Sequence, residues 1–390
     1  MWILFLNSDG SVKSHQKISP LAGGYQATQL VNDLFGTSSS FLGDLDRNGT
    51  VELAVGIPQR DVPTIDAGAF EILSLTSTGW TAHQELITEN TGGFTGTLGP
   101  AYVFGSSLAV LGDLNSDQHM DLAVGSARDA QVASEQGAVW IFDLTQQGTV
   151  GAQQRIDGTT TPLVDLIQNG ERFGSAITVV GDVNGDHNPD LAVGSPFADE
   201  GGRDRGAVTI LFLNNQRQVT GATRISDTQG NFHGGLENES FFGCALAAPG
   251  DLNADGTPDL CVGNFTAGDG GIMRGLFWLL YLNPDGTVKA WDKTGHGDPG
   301  ITLINRSLFG GSLAWIDGFS SAHPKVLVVG TPGADDLQED TGAIYLLEWN
   351  SCSSSLQGDF NGDCLVDYRD LTQSTFLGIL DIAADWLSHD

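Results

Sequence analysis

Four short segments place oxygen-bearing side chains at alternate positions. Asp44, Asp46, Asn48 and Glu52 fall at positions 1, 3, 5 and 9 of the first. Asp113, Asn115, Asp117 and Asp121 fill the same positions of the second, Asp182, Asn184, Asp186 and Asp190 of the third, and Asp251, Asn253, Asp255 and Asp259 of the fourth. Alternating side chains in a tight loop converge on one point, and the backbone carbonyl at position 7 adds an oxygen from Thr50, His119, Asn188 or Thr257. An all-oxygen shell with three acidic groups suits a hard cation that tolerates irregular geometry, so calcium fits better than magnesium. The simpler reading is an Asx-rich turn without metal. Against it, four empty copies with three carboxylates each would be strongly self-repelling. Gln118 and His187 stand where the first and fourth loops have Gly49 and Gly256. Glycine eases that turn, so the second and third sites are expected to bind more weakly. A further loop near the C-terminus has Asp359, Asn361, Asp363, Asp367 and Asp370 at positions 1, 3, 5, 9 and 12, with the Leu365 carbonyl at 7. That spacing is EF-hand-like and brings the expected total to about five calcium sites.

The elements that position these loops repeat. Phe-Gly recurs at Phe35-Gly36, Phe104-Gly105, Phe173-Gly174, Phe242-Gly243 and Phe309-Gly310, with spacings of 69, 69, 69 and 67 residues. After each of the first four pairs come a Gly-Asp loop and an apolar run such as Leu122-Ala123-Val124-Gly125. A strand opened by Gly68, Gly137, Gly206, Gly275 or Gly342 follows, then a turn such as Asn283-Pro284-Asp285-Gly286. Each unit therefore reads as four short strands, A to D, with metal loops between A and B. β-branched and aromatic runs bounded by Gly, Asn, Asp and Pro are strand and turn chemistry. Continuous apolar B strands imply burial on both faces, as when sheets stack radially. A long period with four strands per unit predicts an all-β fold, a β-propeller of four-stranded antiparallel blades. In the fifth unit the loop after Asp317 has lost its ligands, so no metal is expected there.

The phase of the repeat places residues 1–19 as strands C and D of a partial blade, because residues 3–7 repeat residues 210–214. Two readings follow. The A and B strands of that blade precede Met1 in a longer chain, or the N-terminal hairpin closes the ring by completing the last blade.

Phe-Gly, then Gly-Asp-x-Asn-x-Asp, then Asp190-Leu191-Ala192-Val193-Gly194-Ser195-Pro196 resembles the FG-GAP repeat of integrin α-subunits, over residues 1–350. The resemblance implies a calcium-binding propeller of seven blades, one or two of them missing from these five units and partial N-terminal blade, that recognises ligands on the face away from the calcium loops. Residues 351–357 read as a linker. Residues 358–390, with Gly358-Asp359-Phe360-Asn361-Gly362-Asp363 followed by Val366-Asp367, resemble a dockerin and imply a small α-helical calcium-loop tail. A dockerin normally has two such loops and only one is found, which leaves a cohesin-like partner in doubt. A disulfide between Cys352 and Cys364 would pin linker to loop. Cys244 and Cys261 fall out of register by some four residues, so buried free thiols are expected there.

With 17 Lys and Arg against 48 Asp and Glu, the formal net charge is −31. That opposes binding to nucleic acid or anionic membranes. No apolar run reaches the roughly 18 residues needed to cross a bilayer, and the N-terminus lacks the basic region and cleavage site of a signal peptide. No HExxH, GxxxxGK[ST] or GxSxG motif is present. The expectation is a non-catalytic extracellular binding or adhesion module for a protein or glycan. The alternatives are an accessory region of a secreted polysaccharide-degrading enzyme, which the dockerin-like tail would mark, and a structural surface protein. Arg203, Asp204 and Arg205, in a long B–C loop opposite the metal loops, form the segment expected to touch a partner, since loops on rigid scaffolds carry binding and arginine is favoured at interfaces.

Overall fold

The computed structural model describes residues 1–7, 11–26, 32–298, 300–318, 325–334 and 342–349. The EF-hand-like loop, Cys352, Cys364 and the expected helical tail lie outside them. Every regular element described is a β-strand. A hairpin of β1 (Trp2–Leu6) and β2 (Val12–Lys17) precedes the blades. The first blade is β3 (Ser39–Gly43), β4 (Val51–Ile57), β5 (Ala69–Leu75) and β6 (Thr81–Ile87). The second is β7 (Phe104–Gly112), β8 (Met120–Ser126), β9 (Ala138–Leu144) and β10 (Val150–Ile156). The third is β11 (Ala176–Gly181), β12 (Asp190–Ser195), β13 (Ala207–Leu213) and β14 (Val219–Ser226). The fourth is β15 (Leu246–Gly250), β16 (Asp259–Asn264), β17 (Leu276–Leu282) and β18 (Val288–Thr294). The fifth has three strands among the described residues, β19 (Ser312–Asp317), β20 (Lys325–Thr331) and β21 (Ala343–Glu348).

Within each blade the strands pair antiparallel in chain order, and the A strands of successive blades lie side by side. The described residues form a five-bladed β-propeller. The five A strands surround an axial cavity of about 320 Å³, lined by Leu108, Ile177, Leu246 and Leu313 among others. The β1–β2 hairpin forms a sheet of its own, with Ile18 packed against Val55 and Leu73 of the first blade. Among the described residues β21 pairs only with β20, so the hairpin does not complete the last blade.

The Phe-Gly pairs are inter-blade fasteners. Phe104, Phe173, Phe242 and Phe309 are wholly buried, each in an apolar cluster shared with the preceding blade. Their backbones form parallel bridges to Gly68, Gly137, Gly206 and Gly275 at the start of the preceding blade's C strand. The next glycine turns the chain in the left-handed region, as at Gly243 with φ of 88°, which costs glycine little. Its carbonyl abuts the B strand of the preceding blade. A Cβ on Gly194 would lie 2.0 Å from the Gly243 oxygen, and Gly56, Gly125 and Gly263 are equally crowded. The Leu-Ala-Val-Gly glycines are therefore where two blades touch backbone to backbone.

Cys244 and Cys261 are both free. Cys261 pairs with Ala247, three residues from Cys244, and burial pushes the thiol pKa of each up.

Candidate metal centres on the A–B face

Each A–B loop is closed by the same device. Gly43, Gly112, Gly181 and Gly250, all with positive φ, pair with Glu52, Asp121, Asp190 and Asp259 across a bulge. The bulge bends strand A and brings the acid at position 9 back beneath position 1.

Inside the loop the position-1 carboxylate is a hub. Asp251 Oδ1 accepts from the backbone N of Asp255 at 3.1 Å and Oδ2 from Gly256 at 2.8 Å. Asp44, Asp113 and Asp182 accept from the equivalent amides. The position-5 side chain accepts from the amide of Thr50, His119, Asn188 or Thr257 at 2.7–2.9 Å. At positions 3 and 5, Asn115 donates to Asp117, Asn184 to Asp186 and Asn253 to Asp255, whereas Asn48 donates back to Asp46. Position 6 is left-handed in all four loops: φ is 88° at Gly49, 71° at Gln118, 70° at His187 and 92° at Gly256. A residue with a Cβ is strained there by about 1 kcal/mol, which is the physical basis for ranking the second and third loops lower.

The acids at position 9 are buried beneath this shell: Asp121, Asp190 and Asp259 are 0% exposed and Glu52 is 4% exposed. Asp190 Oδ2 accepts from Val183 N at 2.9 Å and Oδ1 from Leu213 N at 3.1 Å, and Asp259 is held likewise by Leu252 and Leu282. Burial raises Asp190 to about 6 and Asp259 to about 7 despite these amides, because a carboxylate charge taken from water lacks a counter-ion. A divalent cation would supply it. In the first loop, carboxylate oxygens of Asp44, Asp46 and Glu52 lie within 4.8 Å of one another. The first, third and fourth loops thus fit a calcium ion in donor chemistry, and the third and fourth also in uncompensated buried charge. In the fourth, half-exposed Lys289 reaches Asp255 Oδ2 at 3.1 Å from the surface, and such a side chain is free to swing aside.

The second loop differs. Burial raises Asp121 too, but Arg217, from the C–D turn of the third blade, reaches into the loop and its Nε donates to Asp121 Oδ1. Nη2 of Arg217 lies 3.6 Å from Asp117 Oδ2 and 3.5 Å from Asp143 Oδ1 on β9. His119, expected to add only its carbonyl, also has Nδ1 3.3 Å from Asp143 Oδ1. His187, in the third loop, stays in solvent. In the fifth blade Asp317 accepts from Trp315 Nε1 at 3.1 Å and pairs with Lys325. Residues 319–324 between them lie outside the described ones.

On the opposite face the B–C loops are strapped to the next blade. The carbonyls of Arg203, Asp204 and Arg205 accept from the amides of Glu239, Phe241 and Phe242. Arg203 is well exposed, with an ion pair to Glu239 at 3.1 Å. Arg205 is three-quarters buried and bonds Asp227 and Asn238. Its guanidinium fastens the connection between the third and fourth blades, so of the two arginines Arg203 is the one presented to solvent.

A five-bladed, all-β propeller with acidic A–B loops is the class these elements define. The FG-GAP repeat, as a family profile, matches residues 104–142 and 173–211, which run from Phe-Gly into strand C of the second and third blades. Phosphatidylinositol-glycan-specific phospholipase D of Homo sapiens is 30% identical over 255 residues, covering 62% of this chain and 28% of that protein. Integrin alpha-5 of Xenopus laevis is 29% identical over 256 residues, covering 64% and 22%. Integrin alpha-IIb of Mus musculus is 32% identical over 179 residues, covering 45% and 16%. The chain spans less than a third of these relatives' length.

Proposed function

We propose that this chain is a non-catalytic, extracellular recognition module, a propeller made rigid by calcium in its A–B loops that offers its B–C face to a protein or glycan. The observation that carries the reading is the set of buried position-9 acids, held in one repeated geometry and left without counter-charge in the third and fourth loops. Similarity to integrin alpha chains supports a binding role and a place outside the cell. No helix among the described residues is long and apolar enough to cross a membrane.

Isothermal titration with calcium tests the metal reading. Uptake of several ions, each lost on substitution of the position-1 aspartate of its loop, is expected; no uptake refutes it. Screening the full chain on glycan and matrix-protein arrays tests the binding role. A second reading has one observation in its favour. The match to a phospholipase over 28% of its length is consistent with a propeller serving as an accessory region of a larger enzyme.

A further inference from the structure

The C–D turns reveal a substitution that the repeat alone does not explain. The fourth turn position is Gly79 in the first blade, Gly148 in the second and Gly286 in the fourth, with φ of 75°, 74° and 76°. The third blade has Arg217 there, with φ of 64°. A long side chain in the left-handed region is strained, so something must hold it. Each of these turns leans on the preceding blade: Gly148 faces Ile72, and Gly286 faces Phe212 and Thr223. Arg217 by the same geometry faces the second blade, and its side chain is only 12% exposed.

The second blade has a matching change. Asp143 occupies the register that holds Ser74, Phe212 and Tyr281 in the first, third and fourth blades. The guanidinium therefore lies among Asp117, Asp121 and Asp143, two ligand positions of the A–B loop and one carboxylate special to this blade. In the third and fourth loops the equivalent of Asp121 Oδ1 accepts a backbone amide, from Leu213 or Leu282. Here it accepts Arg217 Nε. Arg217 differs from Lys289, which is half exposed and touches a single loop carboxylate.

We propose that the second A–B loop is closed by an internal cation. Arg217 of the third blade takes the place of a metal ion there, and calcium binds the first, third and fourth loops. The inference rests on the calcium reading of those three loops. The positive guanidinium, a few ångströms from the loop centre and shielded from water, weakens a dication in the second loop by roughly a hundredfold or more. The same contact ties the third blade to the second without metal.

The test is a count of bound calcium on the full chain, by native mass spectrometry and by titration calorimetry with calcium alone. The variant is Arg217→Gly, which restores the residue used by the other turns. It should bind one ion more than the unaltered protein, and adding Asp113→Ala should abolish that gain. Asp113→Ala alone should leave the unaltered count unchanged. The proposal is overturned if Arg217→Gly binds no additional ion, or if Asp113→Ala alone removes one. Should Arg217→Gly fail to fold, the count for Asp113→Ala decides. Asp182→Ala and Asp251→Ala report separately on the calcium reading. If neither loses an ion, that reading fails, while a gain or no gain in Arg217→Gly still upholds or overturns the internal cation.

Discussion

Gly194→Ala should unfold the propeller far more readily than its single added methyl suggests. The new Cβ would stand 2.0 Å from the Gly243 carbonyl oxygen and 3.0 Å from its carbon, both backbone atoms of the adjoining blade. A Cβ essentially never comes within 3.0 Å of such an atom, so the blades must part locally by about 1 Å. Neither strand can yield alone. Gly194 sits in the middle of a four-stranded sheet paired with Ala176 and Val208, and Gly243 donates to Gly263 at 3.0 Å. Overpacking by one methyl in a rigid core costs about 1–3 kcal/mol, and the backbone clash puts this site at the upper end. A loss of about 3 kcal/mol corresponds to a fall in Tm of roughly 6–12 °C, taking 2–4 °C per kcal/mol for chains of moderate size. Gly151→Ala is the control, because its added Cβ meets nothing closer than 3.4 Å and should leave Tm within about 1–2 °C. Scanning calorimetry in saturating calcium checks both. If Gly194→Ala melts with the control, the glycine is not a contact between blades and the account of the repeat given above fails.

Withdrawing calcium should also lower the melting temperature. Each site held at 100 times its Kd adds about 2.7 kcal/mol to the folded state, so three sites lost to EDTA should cost about 8 kcal/mol and roughly 16–32 °C, restored by calcium. An unchanged calorimetric scan would sink the metal reading, and Asp251→Ala should lower the calcium-saturated Tm more than Asp113→Ala. In EDTA, stability should rise as pH falls from 8 to 5.5. The folded pKa values of about 6 for Asp190 and about 7 for Asp259 lie above the unfolded one, so the folded state binds more protons in that window. The carboxylates held below their usual range, such as Asp186 and Asp255, titrate under it. Saturating calcium should reverse the slope, and a flat calorimetric profile in EDTA would refute the argument. Arg224→Leu should cost about 3–5 kcal/mol in urea unfolding, because Arg224 is 1% exposed and lies 2.7 Å from Glu171 and 2.9 Å from Glu200. A loss under about 1 kcal/mol would show those carboxylates to be satisfied without it. Arg205→Ala should lower Tm, while Arg203→Ala should leave Tm unchanged and weaken any ligand recovered from the arrays.

The architecture was legible because a 69-residue period converts one local pattern into a whole fold. Phe-Gly, the Gly-Asp loop and Leu-Ala-Val-Gly each recur in phase, and each proves to be a bridge, a bulge or a strand held by the same contacts in successive blades. Strand register was legible to within a residue, since Cys244 and Cys261 were expected some four residues out of register and Cys261 pairs with Ala247, three residues from Cys244. What could not be read were the contacts between blades. Arg217 and Asp121 are 96 residues apart, and no spacing rule joins them. The signal was nevertheless present in two breaks of the repeat, arginine for glycine in one turn and Asp143 for an unlike residue in the blade before it. Arg205 misled for the same reason. Its exposure depends on Asp227 and Asn238, which belong to a connection whose path no local pattern dictates.

The seams between blades also narrow where recognition can reside. Ile65, Ser134, Arg203 and Ile272 occupy one equivalent position in four successive B–C loops. Each carbonyl accepts an amide from the approach to the next blade, from Ala101, Gly170, Glu239 and Arg306 at 2.7–2.9 Å. The residue after each, Asp66, Glu135, Asp204 or Met273, has positive φ and a carbonyl that accepts from the same approach. The backbone is therefore fixed while all four side chains stand in solvent. A fixed main chain with free side-chain identity is the arrangement in which a surface can change its ligand without changing its fold. Two isoleucines, a serine and an arginine fill these positions, so packing does not dictate one side-chain type there. The A–B face has no such latitude, because its side chains are consumed by the loops themselves. Under the recognition role proposed above, specificity is expected to follow these four seam positions, with the A–B loops setting only how rigidly they are held.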